Sequence, residues 1–224
     1  MRVSIIIPVF NEEATLPFVL DRVLGLPFDK EVILVDDGST DASGRILESY
    51  RDRPGVKVVR HRSNLGKGKA VATGLEQASG PVVYIQDADM ELDPHVCTDL
   101  IEPIERGEAQ AVYGKRTIVK GKPYLSSRFA RRFLSLLFQL LYEQKLDDPT
   151  TGCRAVEAGL LKSLGLVEAG FEVEQEMSAR LVRRGVAIEE VPVNYYPRTF
   201  EEGKKIGWRD GVRAVWVLFK YRFR

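Results

Sequence analysis

The chain has 224 residues, 44% of them hydrophobic and 29% charged, with a formal net charge of +1 at pH 7. Those values fit a soluble globular protein of one large domain or two small ones, and they exclude a nucleic-acid binder driven by overall charge. The two cysteines, Cys97 and Cys153, exclude a disulfide framework or a Cys-rich zinc site and fit a reducing compartment.

The first segment, M-R-V-S-I-I-I-P-V-F-N-E-E, does not read as a signal peptide, because its apolar run is short, Pro8 interrupts it and acids follow. Residues 3–9 instead predict a buried strand. A helix is expected over 11–24, with Asn11 as N-cap and Glu12 and Glu13 at its positive start. K-E-V-I-L-V (30–35) predicts a second strand ending in D-D-G-S-T-D, followed by a helix over 41–52. A strand at 56–60, a helix at 68–78 and a strand at 81–85 complete a β-α-β-α series. Such a series predicts a parallel sheet with helices on both faces, with ligands at the carboxyl ends of its strands.

The second half predicts a helix at 95–107, a strand at 109–116, a loop over 117–127 and a long helix from Arg128 to about 144. Leu134, Leu137, Phe138 and Leu141 on that helix have core spacing, and an interfacial role remains open. F-L-S-L-L-F-Q-L-L-Y (133–142) falls short of the roughly 20 apolar residues of a membrane span. Residues 146–155 read as a turn-rich connection, 172–184 as a helix and 187–196 as a strand. Residues 204–224 carry seven Lys/Arg against Asp210 alone, interleaved with Trp208, Trp216, Phe219, Tyr221 and Phe223. That mix suits an interfacial helix on anionic lipid or a solvated terminal helix.

Three strand ends carry unusual chemistry: P-V-F-N-E-E, V-D-D-G-S-T-D and Q-D-A-D-M-E-L-D. Neither a Walker loop nor a G-x-G-x-x-G fingerprint is present. On extended backbone, residues i and i+2 share a side. Asp87 and Asp89 would then face one point, with Glu91 in reach if the extended path continues. A hard oxygen donor set suits Mg²⁺ or Mn²⁺, completed by a substrate diphosphate; without such a ligand the segment is a solvated acidic loop. Asp93, before Pro94, reads as a helix cap. Asp36 and Asp37 can accept N–H groups of a nucleobase, while Ser39 or Asp41 caps the next helix. N-L-G-K-G-K either brings Lys67 beside a diphosphate or is a simple glycine turn. His61 and His95 read as surface or capping residues, and both cysteines as packing residues.

With R-S-N-L-G-K-G-K-A, these motifs together resemble glycosyltransferase family 2, the GT-A fold. Y-G-K-R, L-D-D-P-T-T-G-C-R, G-F-E-V-E-Q-E-M and V-P-V-N-Y-Y-P-R-T-F-E-E-G-K-K-I-G-W are similar to the dolichyl- and polyprenyl-phosphate mannose synthase branch. The resemblance implies an α/β fold, with a Rossmann-like, mostly parallel sheet flanked by helices and a C-terminal amphipathic helix. It implies one catalytic domain: a nucleotide-sugar half (1–115), an acceptor half (116–203) and a basic aromatic helix (204–224). Pro8, Val9, Phe10, Asn11 and Glu12 would line the donor pocket, with Asp36 and Asp37 near base and ribose. Lys67, Asp87, Ala88 and Asp89 would face the diphosphate, and Asp87, Asp89 and Glu91 the metal. Arg116, Arg132 and Arg198 would grip the acceptor phosphate, with Lys204 and Lys205 adding charge. Y-G-K-R stands where many relatives have G-S-R, and L-D-D-P-T-T-G-C-R where some have Phe before the Arg, which leaves the sugar open.

The implied reaction is an inverting, metal-dependent transfer of a hexose, mannose from GDP-mannose foremost, to a polyprenyl or dolichyl phosphate. UDP-glucose or another UDP-sugar, or a saccharide hydroxyl acceptor, are the alternatives, as is a non-catalytic nucleotide-sugar-binding subunit. The expected setting is cytoplasmic and peripheral to a membrane, with a membrane-embedded partner protein and without nucleic acid.

Overall fold

The computed structural model describes residues 1–119, 125–198 and 207–224. In chain order these form β1 (Val3–Val9), α1 (Leu16–Leu24), β2 (Lys30–Asp36), α2 (Ser43–Glu48), β3 (Val56–Arg60), α3 (Lys67–Gln77), β4 (Val82–Ile85) and α4 (Cys97–Glu105). There follow β5 (Ala111–Ile118), α5 (Leu125–Tyr142), β6 (Arg154–Glu157), α6 (Ala158–Ser163), α7 (Val173–Arg183), β7 (Ile188–Tyr195) and α8 (Trp208–Phe223). One seven-stranded sheet has the order β3-β2-β1-β4-β6-β5-β7. β1, β2, β3 and β4 pair in parallel, as do β5 and β7, while β6 runs antiparallel to β4 and β5.

The apolar strands alternate between two cores, as the period of two requires. Ile6, Ile33 and Val35 pack on the face covered by α3, α5, α7 and α8; Ile5, Ile7, Val32 and Leu34 pack on the face covered by α1 and α4.

Two sequence expectations are corrected. α1 begins at Leu16, with Thr15 as its cap, not at Asn11. Asn11 has φ 50°, a left-handed turn conformation that Asn tolerates, so the chain after β1 bends before it coils. The sheet is mostly parallel, as expected, but the segment expected only to turn ends in the antiparallel strand β6 and continues into α6. β6 has four residues and contains Arg154, 1% exposed, which hides its apolar character in the sequence.

α8 is built into the fold. Ala214, Val217, Leu218 and Tyr221 are buried, and the Tyr221 hydroxyl lies 2.8 Å from Glu176 Oε1 and 2.9 Å from Glu168 Oε1. The Tyr142 hydroxyl of α5 donates to the Leu218 carbonyl at 2.6 Å. On α5, Leu134, Phe138 and Leu141 are buried and Leu137 is partly buried, while Phe129, Phe133, Leu136 and Leu140 face solvent. Among the described residues, no helix is long and apolar enough to cross a membrane.

Candidate active site

The loops leaving β1 and β2 are laced together at their carboxyl ends. Thr40 N donates to Asn11 Oδ1 (2.8 Å), Asn11 N to Ser39 Oγ (3.1 Å), Glu12 N to Ser43 Oγ (2.9 Å) and Glu13 N to Asp41 Oδ2 (3.1 Å). Ala42 N closes the set on Glu13 Oε2 at 2.8 Å. The polar residues after β2 therefore fix the backbone of F-N-E-E. Asp36 and Asp37 are buried and engaged by protein groups. Asp36 accepts from Ser39 N at 2.8 Å and faces Arg60 Nε at 3.2 Å. Asp37 accepts from Leu65 N (2.9 Å) and Gly66 N (2.8 Å) and lies 2.7 Å from His61 Nδ1. His61 also reaches Thr73 at 3.0 Å, so it is an internal link and not the expected surface residue.

Asp37 thereby fixes the start of α3, whose first residue is Lys67. Lys67 Nζ bridges Asp87 Oδ1 (2.6 Å) and Glu174 Oε1 (2.8 Å). Burial opposes its charge, but Asp87 and Glu174 more than offset that and hold the ammonium above the ordinary lysine range. Asp87 lies against Gly152, where an added Cβ would run into its carboxylate. Arg154 pins that turn: Nε donates to Thr151 O (2.9 Å), Nη2 to Pro149 O (3.0 Å) and Nη1 to Glu174 O (2.6 Å).

Asp89 stands in a second cluster. Arg198 donates through Nη1 to Glu12 Oε2 (2.9 Å) and through Nη2 to Asp89 Oδ2 (3.2 Å), and its backbone N–H reaches Glu91 Oε1 (2.8 Å). Burial first, then the charges of Asp87 and Glu91, push the Asp89 carboxyl up to about 7. The extended path expected through Asp87, Asp89 and Glu91 breaks at Met90, φ 57°. Glu91 instead accepts from the Tyr195 hydroxyl at 2.9 Å. Among the described residues, no three His, Cys, Asp or Glu side chains group so as to hold a metal ion. Val9 and Ala88 are buried in the core, and their carbonyls accept from Asp37 N (2.8 Å) and Thr15 Oγ1 (2.7 Å), so neither offers a side chain to a ligand. Pro8 and Phe10 are half-buried at the same strand end. Asp93 caps the turn at Pro94–Val96 through His95 N, 3.1 Å, as expected.

The arginines divide. Arg198 joins the carboxylates, whereas Arg116 and Arg132 line a cavity of about 480 Å³ with Lys115, Arg131, Lys145, Asp147 and Asp148. Arg116 donates through Nε and Nη2 to the two Asp148 oxygens, both at 2.7 Å, and lies over the Tyr195 ring at 5.0 Å. Tyr195 thus links the cavity to the acidic cluster. Lys204 and Lys205 lie outside the described residues. The sequence reading did not single out Glu174, Asp148, Gly152, Arg154 or Tyr195. Two signals pointed to Glu174, Gly152 and Arg154: acids at the start of an otherwise core-forming helix, and an Arg beside apolar residues in T-G-C-R-A-V.

Residues 4–165 match the family "Glycosyl transferase family 2". The chain is 30% identical over 233 residues to a dolichol-phosphate mannosyltransferase of Pyrococcus furiosus, covering 99% of this chain and only 64% of that protein's length. It is 30% identical over 226 residues to an undecaprenyl-phosphate mannosyltransferase of Micrococcus luteus, covering 96% of this chain and 92% of that one. The fold matches crystalline glucosyl-3-phosphoglycerate synthase of Mycobacterium tuberculosis in complex with Mn²⁺, UDP and glucosyl-3-phosphoglycerate. The TM-score is 0.75 and the identity 25%, over 99% of this chain and 80% of that one. The strand-end motifs, the α/β GT-A sheet and the match across most of the length agree, and the chain belongs to glycosyltransferase family 2.

Proposed function

We propose that the chain transfers a hexose from a nucleotide sugar to a polyprenyl phosphate, mannose from GDP-mannose foremost, with inversion at the anomeric carbon. One observation carries this reading. A cavity lined by five cationic side chains includes Leu136, which belongs to an exposed apolar stripe on α5. A phosphate head on an apolar tail matches that pairing of charge and greasy surface. A phosphate monoester has its second pKa near 6 and is largely a dianion at neutral pH. It needs no general base, and both cavity carboxylates are engaged in ion pairs.

The donor side is assigned to Pro8, Phe10, Asn11, Glu12, Asp36, Asp37 and Lys67 at the strand ends. The donor set there fits a hard divalent cation, Mg²⁺ or Mn²⁺. Asp87 and Asp89 leave β4 close together, and Mg²⁺ is commonly held by one or two carboxylates plus substrate phosphates. Asp87 and Asp89 would hold it, and Glu91, turned to Tyr195, would not. Such a cation supplies Lewis-acid stabilisation of a leaving diphosphate. Lys67 adds positive charge beside Asp87, and Arg198 adds it beside Glu12 and Asp89. Arg132 faces the acceptor phosphate, since a planar guanidinium matches phosphate oxygens, and Arg116, paired with Asp148, adds its charge to the cavity wall. The setting we propose is a membrane surface, met by the apolar faces of α5 and α8.

A UDP-linked donor is the second reading, favoured by the UDP-bound structural relative. A donor panel with a polyprenyl phosphate, followed as radiolabel entering the organic phase, decides between them. Label from GDP-mannose alone is the expected result. Label from a UDP-sugar alone moves the assignment to that donor, and no label with any donor removes the lipid-phosphate acceptor.

A further inference from the structure

This inference rests on the reading just given, in which the cavity receives a phosphate monoester. The cations lining the cavity are not equivalent. Arg116 is committed to Asp148 by two bonds of 2.7 Å in a buried pair, and parting such a pair leaves an uncompensated charge. Lys115 and Lys145 share Asp147 instead: Lys115 Nζ lies 2.5 Å from Oδ2 and Lys145 Nζ 3.2 Å from Oδ1. These side chains are 44%, 69% and 29% exposed, a setting in which an ion pair contributes little and exchanges readily. Asp147 cannot follow the lysines, because Glu190 accepts its backbone N–H at 2.7 Å and that of Asp148 at 2.8 Å.

We propose that Lys115 and Lys145 are acceptor-binding residues parked on Asp147, and that they turn onto the phosphate when it enters the cavity. Asp147 is then a positioning residue. It keeps the two ammonium groups at the cavity wall and competes with the incoming anion for them. The charge balance favours the exchange. Five cations face two carboxylates in the cavity, and a phosphate monoester brings a charge of nearly −2. A lipid-borne phosphate and free phosphate share this chemistry.

The test titrates wild type, Lys115→Met and Asp147→Asn with farnesyl phosphate and, separately, with inorganic phosphate. Acceptor KM and kcat are measured in steady-state transfer. Lys115→Met is expected to weaken farnesyl phosphate about tenfold, mostly through KM, as loss of one charge-assisted hydrogen bond would. Asp147→Asn keeps shape and backbone bonds while releasing both lysines, and is expected to tighten binding about threefold, the scale of an exposed ion pair. Opposite signs distinguish this role from a structural ion pair, whose loss from either side would shift stability in one direction and leave affinity alone. Affinity unchanged in both variants, or weakened in both, overturns the inference while leaving the transfer reading in place. Farnesyl phosphate binding far above inorganic phosphate assigns the lysines to a lipid head group; equal binding assigns them to free phosphate. A wild-type protein that binds neither anion overturns the phosphate reading of the cavity, and this inference with it.

Discussion

Gly152 has no side chain to spare room for, and Asp87 uses the space. A Cβ at 152 would run into the Asp87 carboxylate, whose other oxygen is 2.6 Å from Lys67 Nζ. The turn cannot retreat, because Arg154 holds Pro149 and Thr151 on one side and the start of α7 on the other. An alanine there must push Asp87 off Lys67. Overpacking of this kind costs about 1–3 kcal/mol, which a domain of ordinary stability survives. Activity is far more sensitive, since a displacement of about 1 Å at a reacting centre costs on the order of a hundredfold. Gly152→Ala is therefore expected to stay folded in urea titration while initial rates of transfer fall about a hundredfold. Near-normal rates would show that the position of Asp87 is not critical.

At the scale of elements, Glu31 of β2 ties four segments together. Its Oε1 accepts from Ser4 Oγ of β1 (2.6 Å), Ser79 N (2.6 Å) and Ser79 Oγ (2.8 Å), and its Oε2 faces Lys57 of β3 at 2.9 Å. Burial alone would raise its pKa, but the bonds from Ser4, Lys57 and Ser79 overcome that and hold it at about 2. A depressed folded-state pKa stabilises the fold above the unfolded value of about 4.3, and the contribution disappears as pH falls through about 2. Glu31→Gln is expected to lose about 2–3 kcal/mol at pH 7, with the gap to wild type closing between about pH 4 and 2. Urea titrations along that pH series check it, and a constant gap would rule out the charge as its cause. The role of Glu31 was not legible in K-E-V-I-L-V, where it reads as a polar residue opening a strand. The strands themselves were legible, because V-S-I-I-I-P-V and V-V-Y-I are short, apolar and β-branched, and the three acidic strand ends marked the sheet edge where ligands gather. β6 and Glu174 were hidden for one reason. A buried charge that is satisfied by long-range partners looks, in sequence, like a surface residue.

At the scale of the whole molecule, the described residues present two exposed apolar stripes, on α5 (Phe129, Phe133, Leu136, Leu140) and on α8 (Trp208, Val212, Trp216, Phe219, Phe223). Their spacings of three and four residues keep each stripe on one helical face, and the two helices are joined through Tyr142 and Leu218. Arg128, Arg132, Arg209 and Arg213 are interleaved with them in sequence. Apolar surface flanked by cations suits the boundary of an anionic bilayer. Deleting α8 would be a poor test, because it also contributes Val217, Leu218 and Tyr221 to the core. Substituting only exposed residues is cleaner: Phe133→Ser, Leu140→Ser, Trp216→Ser and Phe223→Ser in one chain. At about 1 kcal/mol for each half-inserted side chain, the four changes amount to roughly a thousandfold in partitioning. The variant is expected to keep the wild-type Tm and to stop pelleting with vesicles containing anionic lipid. Transfer to a short, water-soluble prenyl phosphate should persist while transfer to a long-chain acceptor in vesicles falls, because only the second requires docking. Wild-type pelleting by the variant would show that these faces do not meet the bilayer. Equal loss with both acceptors would place the substituted residues in the chemistry of transfer and not at a membrane.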